Sequence, residues 1–286
     1  VDDGVSGWSS DNTPTFTWDI PPDPKGIEGY WWAVDDPTPD TGGTWTTART
    51  ATPGPLNDGT HTFYVNARNG NGLLGPAGSH VCQIDTTPPT GTILINNGYV
   101  YTNSTSVTLY LSASDSTSGV SKMRFSNDGG SWSSEEDYAA TRSWTLTPGD
   151  GTKTVYVQYK DNAGNWSIPP LSISDTIILD ATAPNTSIGS YPPDPTNSTS
   201  ADFTFSANES GCEFSYQLDS GGWSGYSTGA TRSYAGLSDG SHTFEVRARD
   251  GAGNVDLTPA SYTWLIDTAA PNTSIGSYPP DPTNST

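Results

Sequence analysis

Two cysteines, three histidines and a set of regularly spaced aspartates are the residues of this chain best equipped for chemistry. Cys82 stands three residues before Asp85, as Ile177 stands before Asp180 and Trp264 before Asp267. Cys212 follows Gly211 as Ile27 follows Gly26 and Val120 follows Gly119. Each cysteine therefore takes an apolar place, and both are read as buried thiols acting as small hydrophobes, with an intermolecular bridge as the alternative. His61 and His242 share one repeat position that Lys153 fills in the middle copy, and all three are read as outward-facing. A group exchanged for lysine is a surface residue, not a shared general base. No nucleophile elbow, zinc-type Cys/His spacing or phosphate-cradling glycine loop is present. No catalytic, cofactor-binding or metal-ligating residue is assigned, and the chain is read as not an enzyme.

Carboxylates at repeated places raise calcium as the one ion to consider. Asp85, Asp180 and Asp267 close similar segments, and Asp161 and Asp250 lie in loops. Calcium needs six to eight converging oxygens and no local spacing supplies them, so no cofactor is expected and turn formation is the simpler use of these residues. Seven Asn-x-Ser/Thr triplets begin at Asn103, Asn165, Asn185, Asn197, Asn208, Asn272 and Asn284, each a candidate N-glycosylation site and together a sign of an extracellular setting. Trp45, Trp132 and Trp223 recur just after a Gly-Gly pair and are read as plugs closing each repeat. Trp31 and Trp32 are adjacent, so in a strand one of them faces outward, a slight hint of a sugar-stacking face.

These residues must be positioned by strands. Asp239-Gly240 opens a segment with Phe244, Val246 and Ala248 on alternate positions; Asp58-Gly59 and Asp150-Gly151 open its counterparts, 92 and then 89 residues apart. Period-2 alternation after an Asp-Gly turn is the pattern of a half-buried strand. Residues 183–199 recur verbatim at 270–286, and Ile/Leu-Asp followed by small residues and proline recurs at 84–89, 179–184 and 266–271. Proline stops a ladder and stiffens the connection. The boundaries follow: 1–86, with its first strand missing or incomplete, 87–181, 182–268, and 269–286 as the first strand of a further repeat. Within the third repeat, strands are expected at 187–191, 201–207, 212–218, 231–237, 239–250 and 261–266. About seven short strands per repeat, with turns every 8–12 residues, mean a two-sheet sandwich. The expected class is all-β, tandem immunoglobulin-like β-sandwiches arranged end to end.

Apolar residues make up 32% of the chain, while Trp 10, Tyr 14, Gly 31 and Pro 23 suit thin sandwiches filled by a few aromatics and joined by many turns. The net charge of -20 excludes a nucleic-acid partner, which needs a basic footprint. No stretch reaches the ~20 apolar residues of a membrane helix. No basic-plus-apolar leader opens the sequence, and targeting segments are expected outside it.

The run Asp-Gly-Ser-His-Thr-Phe-Glu-Val-Arg-Ala-Arg-Asp-Gly-Ala-Gly-Asn at 239–254, its counterpart at 150–165, Asp115-Ser116-Thr117-Ser118-Gly119-Val120 and the Asp-Thr-Thr-Pro-Pro linker carry a family resemblance. They resemble the tandem immunoglobulin-like and fibronectin-type-III-like modules of prokaryotic cell-surface and secreted proteins. The first repeat departs, with Asn69-Gly70-Asn71-Gly72 in place of Asp-x-Ala-Gly-Asn. The resemblance implies an extracellular structural protein, a repeat of a stalk, fibre or filament. An adhesin or glycan-binding module and a spacer within a secreted carbohydrate-active enzyme are the alternatives. Partners are expected among copies or neighbouring repeats of the same chain, with glycans second. Residues 270–286 carry a first strand and the first repeat lacks one, so head-to-tail strand donation is one mode of assembly and a longer repetitive parent chain another.

Overall fold

The computed structural model describes Gly4, residues 6–167 and residues 173–277. Among them helix is limited to Pro39–Gly42 and a 3-10 turn at Asn96–Gly98, and the rest of the regular structure is strand. Three hydrophobic cores form, around Phe16 and Phe63, around Leu109, Phe125 and Tyr159, and around Phe203, Phe244 and Trp264. The first two share one compact unit and the third belongs to another.

The long strands Gly59–Asn69, Gly151–Asp161 and Gly240–Arg249 form the spine of the three cores. The glycine that opens each has φ of +141°, +117° and +134°, a region closed to most side chains, so glycine is required there. Alternation then sends Phe63 and Val65, Val155, Val157 and Tyr159, and Phe244, Val246 and Ala248 inward, all with 6% exposure or less. Burying such a side chain contributes about 1.5–3 kcal/mol, and the aromatic pairs Phe16–Phe63 and Phe203–Phe244 stack at 4.2 and 4.1 Å.

In the first sandwich one sheet runs Trp8–Ser9, Gly78–Ile84, Gly59–Asn69, Ile27–Val34, Thr44–Thr46, and the other holds, among the described residues, Phe16–Thr17 and Thr50–Ala51. Its opening strand is two residues long and pairs in parallel, Trp8 with Gln83 and Ser9 with Ile84. In the second, Thr141–Thr145, Ser106–Ser114 and Thr90–Ile95 form one sheet, and the other contains Glu136–Asp137, Val120–Ser126, Gly151–Asp161 and Ile173–Leu179. In the third, Thr186–Ser190, Ala201–Ala207 and Thr231–Tyr234 face Glu213–Leu218, Gly240–Arg249 and Ala260–Ile266. A single parallel bridge joins Thr196 to Ile266.

The sequence Thr-Ser-Ile-Gly-Ser occurs twice with different outcomes. At 186–190 it is a strand, with Ile188 opposite Phe205. At 273–277 it forms no strand and is exposed throughout. Strand structure is made by a partner: residues 186–190 have one in Ala201–Ala207, and residues 273–277 pair with no strand among the described residues. The remainder of the expected further repeat, residues 278–286, lies outside the described residues.

Candidate functional site

The most elaborate polar construction lies where one repeat gives way to the next. In the loop 161–165, the two oxygens of Asp161 accept the backbone N–H and the side-chain Nδ2 of Asn165, both at 2.8 Å. The Asn165 Nδ2 also donates to the carbonyl of Asp85, at 2.8 Å. Gly164, at φ +100°, makes the turn that folds the asparagine back. The loop 250–254 repeats this atom for atom: Asp250 holds Asn254, and Asn254 Nδ2 reaches the Asp180 carbonyl at 2.8 Å. The first repeat builds its turn differently: Asn69 Oδ1 accepts from Asn71 and Leu73, and Asn69 Nδ2 donates to Asp23.

Around each lock three carboxylates converge, Asp85 with Asp115 and Asp161, and Asp180 with Glu209 and Asp250, their oxygens within 4.8 Å. The sequence singles out Asp85, Asp180, Asp161 and Asp250 without pairing them, and it does not single out as their partners Asp115 and Glu209, which enter from the loop after a different strand. Asp267 is exposed and joins no such cluster among the described residues. Asp115 Oδ1 accepts three backbone N–H groups, from Thr117, Ser118 and Gly119, and Asp85 Oδ2 accepts from Ser118 at 3.1 Å. Oxygen ligands of this kind suit a hard cation by type, while their present bonds are those of turn formation. Burial pushes the Cys212 thiol up, and the nearby charges of Glu209, Asp250 and Asp180 push it further. Cys82 and Cys212 are buried in different cores, as expected of small hydrophobes.

The histidine position is not the outward one read from the sequence. His242 is 8% exposed, because residue 242 has the same parity as inward Phe244, Val246 and Ala248. Its Nδ1 meets Asp219 Oδ2 at 2.7 Å and its Nε2 meets the Ser238 carbonyl at 2.9 Å. His61 repeats this with Asp35 at 2.7 Å and the Asn57 carbonyl at 2.9 Å. Both ring nitrogens face acceptors, so both need a proton. The His242 pKa is raised first by the Ser238 carbonyl and then by Asp219; for His61 the Asp35 carboxylate leads. Asp35 and Asp219, at φ +60° and +51°, make a left-handed turn for which the imidazolium is the cap. Lys153, at the same repeat position, donates to the Pro148 carbonyl at 3.3 Å. These groups hold a turn and do not present a base to solvent.

Nor are the recurring tryptophans plugs. Trp45, Trp132 and Trp223 are half-buried on the outer face of a sheet, each beneath a guanidinium: Arg68 at 4.9 Å, Arg124 at 5.2 Å and Arg247 at 4.2 Å from the ring centres. Trp45 rests on Gly29, where a Cβ would collide with the indole, and against Trp31 at 5.3 Å. Trp32 turns inward and stacks on Phe63, so Trp31 is the outward member of the pair. Of the sequons, Asn103, Asn185, Asn197, Asn208 and Asn272 are exposed, Asn165 is part-buried with its Nδ2 committed to the lock, and Asn284 lies outside the described residues.

A second construction missed by sequence reasoning uses the aspartate of the Asp-Gly turn. Asp58 accepts from Thr86 N at 2.8 Å, Thr86 Oγ1 at 2.9 Å and Thr87 Oγ1 at 2.6 Å, and Asp239 accepts from Thr268 N and Oγ1. The root of the long strand is thereby tied to the residues that leave the last one.

Residues 89–157 match the family model of the bacterial Ig domain. Chitinase A1 of Niallia circulans is 32% identical over 213 residues, which cover 70% of this chain and 29% of that protein. The chain thus spans less than a third of the length of that curated relative. Solved structures with a similar fold include fibronectin(III)-like modules of Clostridium thermocellum CbhA, with a TM-score of 0.39 and 16% identity, over 65% of this chain and 100% of that one. A segment of a 1.5-MDa bacterial ice-binding adhesin aligns over 91% of this chain and 92% of its own, with a TM-score of 0.41 and 17% identity. With the same strand plan on both sides of the matched segment, the chain is a tandem array of immunoglobulin-like β-sandwiches, of which residues 89–157 match the bacterial Ig domain. Among its described residues no helix is long and apolar enough to cross a membrane.

Proposed function

We propose that the chain is a non-catalytic structural segment of a bacterial cell-surface or secreted protein, acting as a repeat of a stalk, fibre or filament outside the cell. The observation that carries this reading is what the repeats keep. The cores and the Asp–Asn locks recur with the same bonds, 2.8 Å from Asn165 to Asp85 and from Asn254 to Asp180. The outward residues of the long strand change freely, from Tyr64 to Glu245 and from Asn66 to Arg247. A binding site would keep its outward side chains; a spacer keeps its fold and its joints. Replacing Asn165 with Ala in the whole chain removes the lock on Asp85. Faster proteolysis between residues 85 and 89, with the melting of the sandwiches unchanged, supports the reading; an unchanged cleavage rate refutes it.

The similarity to Chitinase A1 favours a second reading, a spacer within a secreted carbohydrate-active enzyme. The full-length gene product distinguishes the two: a catalytic domain beside the array supports the spacer, and further repeats alone support the stalk. A glycan-binding face has less support, because the tryptophans that recur are already covered by arginine.

A further inference from the structure

The outer face of the second sandwich collects cations that the other two sandwiches neutralise. Lys122 and Arg124 alternate with buried Met123 and Phe125, and Lys160 follows buried Tyr159, so all three side chains leave the same face of one sheet. They are three of the 11 lysines and arginines in a chain of net charge -20. Lys122 stands directly opposite Lys160 in the register. At the same step of the third sandwich Glu213 stands opposite Arg249, and the two are joined at 2.6 Å. In the first, Gly29 stands opposite Arg68, which Glu28 grips with two bonds of 2.8 and 2.7 Å. Like charges directly opposite on a sheet are destabilising, so the second sandwich carries a repulsion where the other two carry an ion pair. A local rule broken at one repeat and kept at its neighbours points to use of the place.

Arg124 lacks a carboxylate as well. Its Nε donates to Gln158 Oε1 at 2.8 Å, and among the described residues no acid pairs with it. Its guanidinium lies 4.2 Å from the ring centre of Trp166 and 5.2 Å from that of Trp132, and Lys160 Nζ lies 5.3 Å from Trp166. Trp166 bridges to Lys160 where Leu74 and Val255 bridge to Arg68 and Arg249, so this indole is an addition of the second sandwich. The two indoles fix the guanidinium plane and shed water from it, which strengthens its attraction for an incoming anion. The acids that face the cations come from one segment. Asp137 reaches Lys122 at 2.6 Å and Glu135 reaches Lys160 at 3.4 Å, with these carboxylates 89% and 45% exposed, while Glu136 is taken by Arg142. Exposed pairs of this kind hold weakly and give way to a competing anion.

We propose that Lys122, Arg124 and Lys160 form a binding face for a carboxylate-bearing polysaccharide, a polyuronate, whose carboxylates do here what Glu28 and Glu213 do in the other two sandwiches. Strand geometry sets the cations at steps of about 7 Å along a strand and about 5 Å across to its neighbour, the scale of successive charges on a polymer with one carboxylate per sugar. Nucleic acid packs one charge into each ~1.7 Å of its axis, and the rest of this acidic chain repels so dense a polyanion. An acidic peptide loses more conformational freedom on binding than a chain of rigid sugar rings. The tryptophans hold the arginine, and the arginine and lysines hold the ligand. This face adds a point of attachment to a stalk or to an enzyme spacer and depends on neither reading.

Isothermal titration calorimetry of the full chain with polygalacturonate at moderate ionic strength tests it, beside neutral dextran, dextran sulfate, polyglutamate and single-stranded DNA. The expected result is binding to polygalacturonate, none to dextran, and weaker binding to the other polyanions. Lys122→Glu rebuilds the opposed ion pair of the third sandwich. It weakens polygalacturonate binding by at least about tenfold while raising the melting temperature of the second sandwich, whereas a role confined to folding moves only the melting temperature. Arg124→Gln weakens binding to a similar degree, and Arg68→Gln in the first sandwich leaves it unchanged. A chain that does not bind polygalacturonate overturns the proposal, as does one that binds dextran sulfate, polyglutamate or DNA as tightly. Binding that survives either Lys122→Glu or Arg124→Gln overturns it as well.

Discussion

The buried histidine makes the third sandwich sensitive to pH in a calculable direction. His242 has a pKa raised above the ordinary 6.5, so its stabilisation is fully present below that value and is lost as pH rises through the folded one. A charge-assisted hydrogen bond contributes about 1.5–3 kcal/mol; the Asp219 side chain is 42% exposed and screened, so about 1 kcal/mol is the working figure. For a domain of this size that is about 4–8 °C in melting temperature between about pH 5.5 and pH 8.5, a window above the titration of the carboxylates. The assay pairs thermal melts at these pH values with an NMR titration of the His242 ring. In His242→Gln the melting temperature of the third sandwich is expected to lose its slope across the window. The second sandwich, with Lys153 at this position, is the internal reference. A ring that titrates at or below the ordinary value, or an undiminished slope in His242→Gln, would refute the imidazolium cap.

Three further outcomes are expected. In chelator-treated protein, Glu209→Gln removes one of three converging negative charges and raises the melting temperature of the third sandwich; a decrease would refute like-charge strain at that cluster. Hydrogen bonds from Thr87 and Thr86 hold Asp58 below the usual carboxylate range, so its contribution is present above the unfolded pKa and lost as pH falls through the folded one. Exchange of the Thr86 and Thr87 amides with deuterium should therefore quicken in acid, and Asp58→Asn should quicken it already at neutral pH; protection that is insensitive to both would refute the tie. Mass spectrometry of protein made in a glycosylating host should find Asn165 bare whatever the state of Asn103 and Asn197, since its Nδ2 is held by Asp85 and Asp161; a glycan on Asn165 would refute the lock.

The cores were legible in the sequence because alternation is a local property that burial enforces. Ala201–Ala207 could be bounded to the residue, and the glycine that opens each long strand answers to backbone stereochemistry. What escaped were arrangements closed by residues distant in sequence. Asp115 and Glu209 join their clusters from loops far from Asp161 and Asp250, and spacing carries no trace of that approach. The tryptophans recur for a reason that depends on which strand supplies the guanidinium: Arg68 and Arg247 come from the long strand, Arg124 from its neighbour. His242 was within reach, since its parity places it inward; its exchange for Lys153 suggested a surface, whereas what the position keeps is a cation facing a carbonyl. The two copies of Thr-Ser-Ile-Gly-Ser mark the limit of local reading, since one sequence takes two states according to its partner.

The parallel pairing of Trp8–Ser9 with Gln83–Ile84 has a mechanical meaning. The chain enters the first sandwich through one of these strands and leaves it through the other, side by side and pointing the same way. Tension along the chain pulls the two in opposite directions along their common axis. The bonds between them are then loaded together in shear, where a hairpin pulled from its open end would release them one at a time. The Thr196–Ile266 bridge gives the third sandwich the same geometry. Resistance to stretching in the first and third sandwiches therefore resides in a few residues at the entrance and exit, while the greater part of each of these cores lies outside the line of load.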